Sequence, residues 1–163
     1  MSPSKGATLT VSGQAVRRMT KYAYRLESIR IREPQFPYAG TALNNTKQAI
    51  RFVRSLDKAD QETLLAVYLN TANKVVGLTS QKGTVNQSPV YIREVIKHAL
   101  LCGADGLIVA HNHPGGTPRP SDEDKRITGK IREAAELFGI RFLDHILIAE
   151  GEGYSFRDMG WLS

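Results

Sequence analysis

The 163-residue sequence predicts a three-layer α/β domain built on a mixed sheet. Three observations predict it. Short apolar, β-branched runs at 62–69, 106–110 and 141–148 have the length of buried strands. Segments with apolar residues at helical spacing lie between them. One such helix falls between a hairpin and the strand at 106–110, and mixed orders of this kind suit helices layered on a sheet.

The elements follow in order. Residues 1–13 are rich in Ser, Gly and Thr and are expected to be loose. Gln14 to Lys21 suits a short helical turn. Tyr24 to Ile31 alternates enough for a strand ending at Glu33-Pro34. Pro34, Pro37 and Gly40 mark a linker, so residues 1–37 are set apart as a basic arm from a domain at 38–163. In Thr46 to Leu56, Ala49, Phe52, Val53 and Leu56 recur at i, i+3, i+4 and i+7 and predict a helix. Glu62 to Leu69 predicts a buried strand, Asn70 to Asn73 a turn, and Lys74 to Thr79 its hairpin partner, with a loop at 81–83. Ser88-Pro89 has the form of a helix opening. Ile92, Val95, Ile96, Ala99 and Leu100 give that helix its apolar face, and Gly103 ends it. After the strand at 106–110, Ser121 can cap a third helix whose first turn holds Asp122, Glu123 and Asp124, at the positive end of the helix dipole. Its stripe is Ile127, Ile131, Ala134, Ala135 and Phe138, and Gly139 closes it. Strands at 141–148 and 154–156 flank a turn at 151–153.

Composition narrows the function classes. Hydrophobic residues make up 41% of the chain, enough for an ordinary core. No apolar run approaches the roughly 18 residues of a membrane helix. The first residues are polar, unlike a secretory signal. The single cysteine, Cys102, excludes an internal disulfide and fits a reducing cytoplasm. It is expected to be a core thiol. The formal charge of +6 is uneven: residues 1–37 hold seven Lys/Arg against two Asp/Glu. Such an arm either is simply solvated or meets nucleic acid or an acidic surface.

The chemistry concentrates in one stretch. His111 and His113 stand at i and i+2 where a strand runs out, so both imidazoles project to one face. A connection with two glycines and three prolines leads to Asp124, a hard oxygen ligand. Two imidazoles and one carboxylate give a tetrahedral Zn2+ three ligands and leave the fourth position for water, as in catalytic rather than structural sites. Hydrolysis then needs a base, usually a carboxylate. Among several acids Glu62 is the best candidate, because it opens an apolar strand where a carboxylate has little structural reason to be. Asn112 and Pro114 are expected to be scaffold, with Asn112 on the opposite face. His98 is expected at the surface, and His145 as a hydrogen-bonded structural histidine.

His111-x-His113-Pro114 followed by Ser121-x-x-Asp124 resembles the JAMM signature of MPN/JAB-type metallopeptidases. The surrounding stretches Tyr91-Ile92-Arg93-Glu94-Val95-Ile96-Lys97, Leu143-Asp144-His145 and Gly160-Trp161-Leu162 are similar to the RadC branch of that superfamily. The likeness covers roughly residues 38 to 163. It implies an MPN fold, with a layout related to cytidine deaminases. It also implies a zinc hydrolase that cleaves a peptide or other amide bond. Through it the family's catalytic glutamate maps to Glu62, and its serine, which would hydrogen-bond the developing oxyanion, maps to Ser121. Ser121 therefore carries a capping reading and a catalytic one, with a single hydroxyl proton to donate.

The RadC branch carries a DNA-repair name. The alternative is accordingly a nucleic-acid-associated accessory protein with a structural or residual metal site. Longer members of the branch have an N-terminal region of helix-hairpin-helix type, which this chain is expected to lack. Nucleobase deaminase chemistry is disfavoured because H-x-E and P-C-x-x-C are absent. An H-E-x-x-H motif is absent too, and the Gly115-Gly116 pair lacks the lysine and spacing of a P-loop.

Overall fold

A computed structural model describes residues 38–83 and 88–162, apart from the side chains of 88–91. The expectations for the basic arm, the turn at 14–21 and the strand at 24–31 lie outside these residues, as does the Ser88 cap.

Five strands form one mixed sheet: β1 (Thr63–Leu69), β2 (Val75–Lys82), β3 (Gly106–Asn112), β4 (Arg141–Ala149) and β5 (Glu152–Ser155). Their spatial order is β2-β1-β3-β4-β5. β3 and β4 run parallel, and the other neighbours are antiparallel. Helices α2 (Ser88–Leu101) and α3 (Asp122–Leu137) cover one face, packing Val95, Ala99, Ile127 and Ile131 onto Ala66, Leu107 and Val109. Helix α1 (Thr46–Val53) and the 3-10 turn after it (Arg54–Lys58) cover the other, packing Ala49, Val53 and Leu56 onto Val67, Ile108 and Ile146. Alternation along β1 and β3 sorts the two cores: odd residues of β3 face α2 and α3, and even residues face α1.

Local chemistry sets the boundaries. The Asn45 side chain accepts from Gln48 N at 2.9 Å and starts α1. The helix expected to reach Leu56 tightens to 3-10 after Val53, yet Leu56 stays buried. In the hairpin, Asn70 Oδ1 accepts from the backbone of Ala72 and Lys74, and Asn73 takes the left-handed conformation that asparagine tolerates. β2 runs on to Lys82, so the loop expected at 81–83 is mostly strand. β3 runs to Asn112, which places His111 inside a strand. β5 starts at Glu152, earlier than expected, and so contains Gly153.

Three burial expectations are corrected. Leu100 is 51% exposed, because Ile96 and Ala99 already fill the face that α2 turns to the sheet. Phe138 is 53% exposed: it is the last residue before α3 breaks, and Ile140 takes the core position beyond the turn. Cys102 is exposed rather than a core thiol, since α2 has ended at Leu101.

Gly153 is required where β5 passes under α1. A Cβ there would lie 2.4 Å from Ile50 Cγ2 and 3.0 Å from Cγ1, too close for the tip of Ile50 alone to relieve. Gly153→Ala is expected to destabilise the fold by about 1–3 kcal/mol. The check is a lower urea midpoint at unchanged slope.

Candidate metal centre

The site forms where β1, β3, β4 and the start of α3 meet. His111 shares the parity of Leu107 and Val109, so its ring faces α3 rather than α1. Leu64 pairs antiparallel with His111, and two further steps of that register bring Glu62 beside His113 on the same face. The capping box of α3 holds Asp124 at the third helical position: the Ser121 hydroxyl accepts from Asp124 N at 3.1 Å, and Asp124 Oδ2 accepts from Ser121 N at 2.7 Å.

Three donor groups converge. His111 Nε2 and His113 Nε2 are 3.1 Å apart. Asp124 Oδ1 is 3.3 Å from the first and Oδ2 is 3.4 Å from the second. Ligands about 2.0–2.1 Å from a zinc ion stand about 3.3–3.4 Å apart at tetrahedral corners, so these spacings fit a small dication. The imidazoles support the same conclusion. His113 Nδ1 is 2.8 Å from Thr117 O, a carbonyl that can only accept, so Nδ1 carries the proton and Nε2 presents a lone pair. That lone pair points toward His111 Nε2 and the Asp124 carboxylate, the arrangement a cation between them would satisfy. His111, His113 and Asp124 together can therefore hold a metal ion.

The electrostatics follow from this crowding. Burial acts to raise the Asp124 carboxyl, but the neighbouring His111 and His113 imidazoles, which can take up positive charge, and the Ser121 hydroxyl win and hold it far below the usual carboxylate range. His113 is pushed above ordinary imidazole, chiefly because its protonated form would hydrogen-bond the Asp124 carboxylate, although burial opposes. Glu62, half-buried, is raised by burial; the two histidines pull it down and Asp124 adds to the rise. Glu62, His111 and Asp124 line one narrow cavity with Leu64, Ile127 and His145.

Ser121 is exposed, and its hydroxyl also donates to Asp124 Oδ2 at 2.6 Å. Its capping role uses the oxygen as acceptor, so the competitor for its one proton is the Asp124 carboxylate, not the helix. Asn112 does face the other way, and there it does more than fill space. Its Oδ1 accepts from Thr63 N at 2.8 Å, and its Nδ2 donates to Ala59 O and Gln61 O at 3.2 and 3.3 Å. A side chain lying between His111 and His113 in sequence thereby ties down the turn that carries Glu62. His98 lies apart on α2, with Nδ1 2.7 Å from Glu94 O.

Two further residues reach the site. His145 Nε2 lies 2.7 Å from His111 Nδ1, and His145 Nδ1 lies 2.5 Å from Thr128 Oγ1. Burial pushes His145 well below ordinary imidazole. Phe156 stacks on it at 4.3 Å. Sequence reasoning identified His145 as hydrogen-bonded but not its partner, and it missed Thr128. The available signal was spacing: Thr128 is four residues after Asp124, on the same helix face. No such signal places His145. β4 carries Leu143 as an extra residue between the pairs Leu107–Phe142 and Ile108–Asp144. That bulge reverses the alternation and turns His145 toward His111.

Comparison with known proteins agrees with the fold. Residues 43–161 match the family described as RadC-like JAB domain. A UPF0758 protein of Actinobacillus pleuropneumoniae serotype 5b is 36% identical over 155 residues, covering 94% of this chain and 66% of that protein. One from Chromohalobacter salexigens is 43% identical over 125 residues, 76% of this chain and 56% of its own length. One from Histophilus somni is 36% identical over 158 residues, 96% and 68% respectively. The chain thus spans between about half and two thirds of the length of these relatives. With the family matched over most of its length and the His-x-His and Asp donors gathered at one end of a mixed sheet, this chain belongs to the RadC-like JAB domain family.

Proposed function

We propose that the chain is a zinc-dependent hydrolase that cleaves an amide bond, with His111, His113 and Asp124 as ligands, Glu62 as general base and Ser121 as a hydrogen-bond donor to the substrate. The observation that carries this reading is the shared cavity of Glu62, His111 and Asp124. Zinc supplies a Lewis acid and lowers the pKa of water to about 7. Glu62, raised above the ordinary carboxylate chiefly by burial, stands where it can take a proton and pass it to the leaving nitrogen. Ser121, exposed and hydrogen-bonded to Asp124, can turn its hydroxyl toward the developing oxyanion. The chain with zinc supplied is expected to hold one ion and to hydrolyse members of a peptide mixture. A chelator should abolish cleavage and zinc restore it. Failure to bind zinc at neutral pH overturns the reading.

Proton competition gives a second check. Zinc takes the neutral imidazole, and His113 keeps its proton to higher pH than a free imidazole because Asp124 holds it. Affinity should therefore level off at alkaline pH. It should fall about tenfold per unit once pH drops below the raised His113 value, as measured by competition titration from about pH 5.5 to 8.5.

Association with nucleic acid is a second reading, supported by the charge of residues 1–37. Binding to DNA at low salt should be lost when those residues are removed; no binding by the full chain sinks it. Among the described residues no helix is long and apolar enough to cross a membrane.

A further inference from the structure

Building on the metal reading above, we infer that His145 and Thr128 are positioning residues that hold His111 in the one tautomer able to offer Nε2 to a metal. The argument is a count of protons along a buried chain. Thr128 Oγ1 lies 2.5 Å from Asp124 O, the carbonyl four residues back in α3, and 2.5 Å from His145 Nδ1. A carbonyl can only accept, so the single hydroxyl proton goes to Asp124 O, the usual back-bond of a helical threonine. Thr128 Oγ1 must then accept from His145 Nδ1–H. A neutral imidazole has one proton, so His145 Nε2 is an acceptor. Its partner at 2.7 Å, His111 Nδ1, must be the donor. That leaves the lone pair of His111 on Nε2, facing His113 and Asp124.

The chain closes on itself, because Asp124 offers its carboxylate to the ion and its carbonyl to the relay. His111, Asp124, Thr128 and His145 are each at most 2% exposed, so bulk solvent has little access to replace a missing link. The opposite proton order would have Thr128 donate to His145 and His145 to His111, placing a proton on His111 Nε2 in the position an ion needs. Helix α3 selects against that order. The Leu143 bulge and the stacked Phe156 hold the His145 ring in line.

Nitrogen-15 imidazole shifts of the full chain test this without metal: His145 is expected to carry its proton on Nδ1. A proton on Nε2 overturns the inference. With zinc, Thr128→Val should bind about 10–100-fold more weakly than the unsubstituted chain, the loss seen when an outer-shell partner of a metal ligand goes. Its His145 should shift toward the Nε2–H form, while Thr128→Ser recovers most of the affinity. A Thr128→Val chain that keeps full affinity overturns the inference, and if that variant does not fold, the tautomer of the unsubstituted chain decides. A chain that binds no zinc refutes the metal reading, while the His145 tautomer still reports on the relay itself.

Discussion

Glu62→Gln is expected to bind zinc as tightly as the unsubstituted chain and to hydrolyse an amide substrate about 10²–10⁴-fold more slowly. The amide keeps the size of the carboxyl but cannot take a proton. Glu62 is not among the three converging donors, so the ion should not notice its loss. Nor should the fold. Glu62 is only half-buried, and its place is held by backbone: Gly83 N donates to Glu62 O at 3.0 Å, and Asn112 grips Thr63 N next to it. The check pairs a zinc titration with turnover on the same preparation. Undiminished turnover removes Glu62 from the mechanism, whereas a parallel loss of zinc would make it a ligand or a support for one.

His113→Ala is expected to abolish stoichiometric zinc binding at micromolar protein while leaving the melting temperature of the metal-free chain little changed. Removing one of three protein ligands costs more than the roughly 10–100-fold of an outer-shell change. Stability is spared because His113 lies just beyond β3, is partly exposed, and belongs to neither core cluster. Retained zinc would move the third ligand elsewhere. A large drop in melting temperature would make His113 structural.

How much of this was legible beforehand depends on how local the signal was. The three converging donors follow from short-range rules: i, i+2 on a strand, then a capping position at a helix start. The fold class followed from periodicity, and the strand order is consistent with it. Element ends were less legible, as with the 3-10 turn after Val53 and the longer β2. Leu100 and Phe138 show the limit of periodicity: it marks an apolar stripe but not where a neighbouring layer stops covering it.

By itself, then, the sequence determined the chemistry: which donor atoms are offered, on which kinds of element, and that an α/β sheet carries them. Tertiary structure alone decided what surrounds those donors. The bulge at Leu143 turns His145 toward His111, and strand pairing sets Asn112 against the turn before β1. Both outcomes depend on register between segments far apart along the chain, and a shift of one residue would send each side chain to the other face.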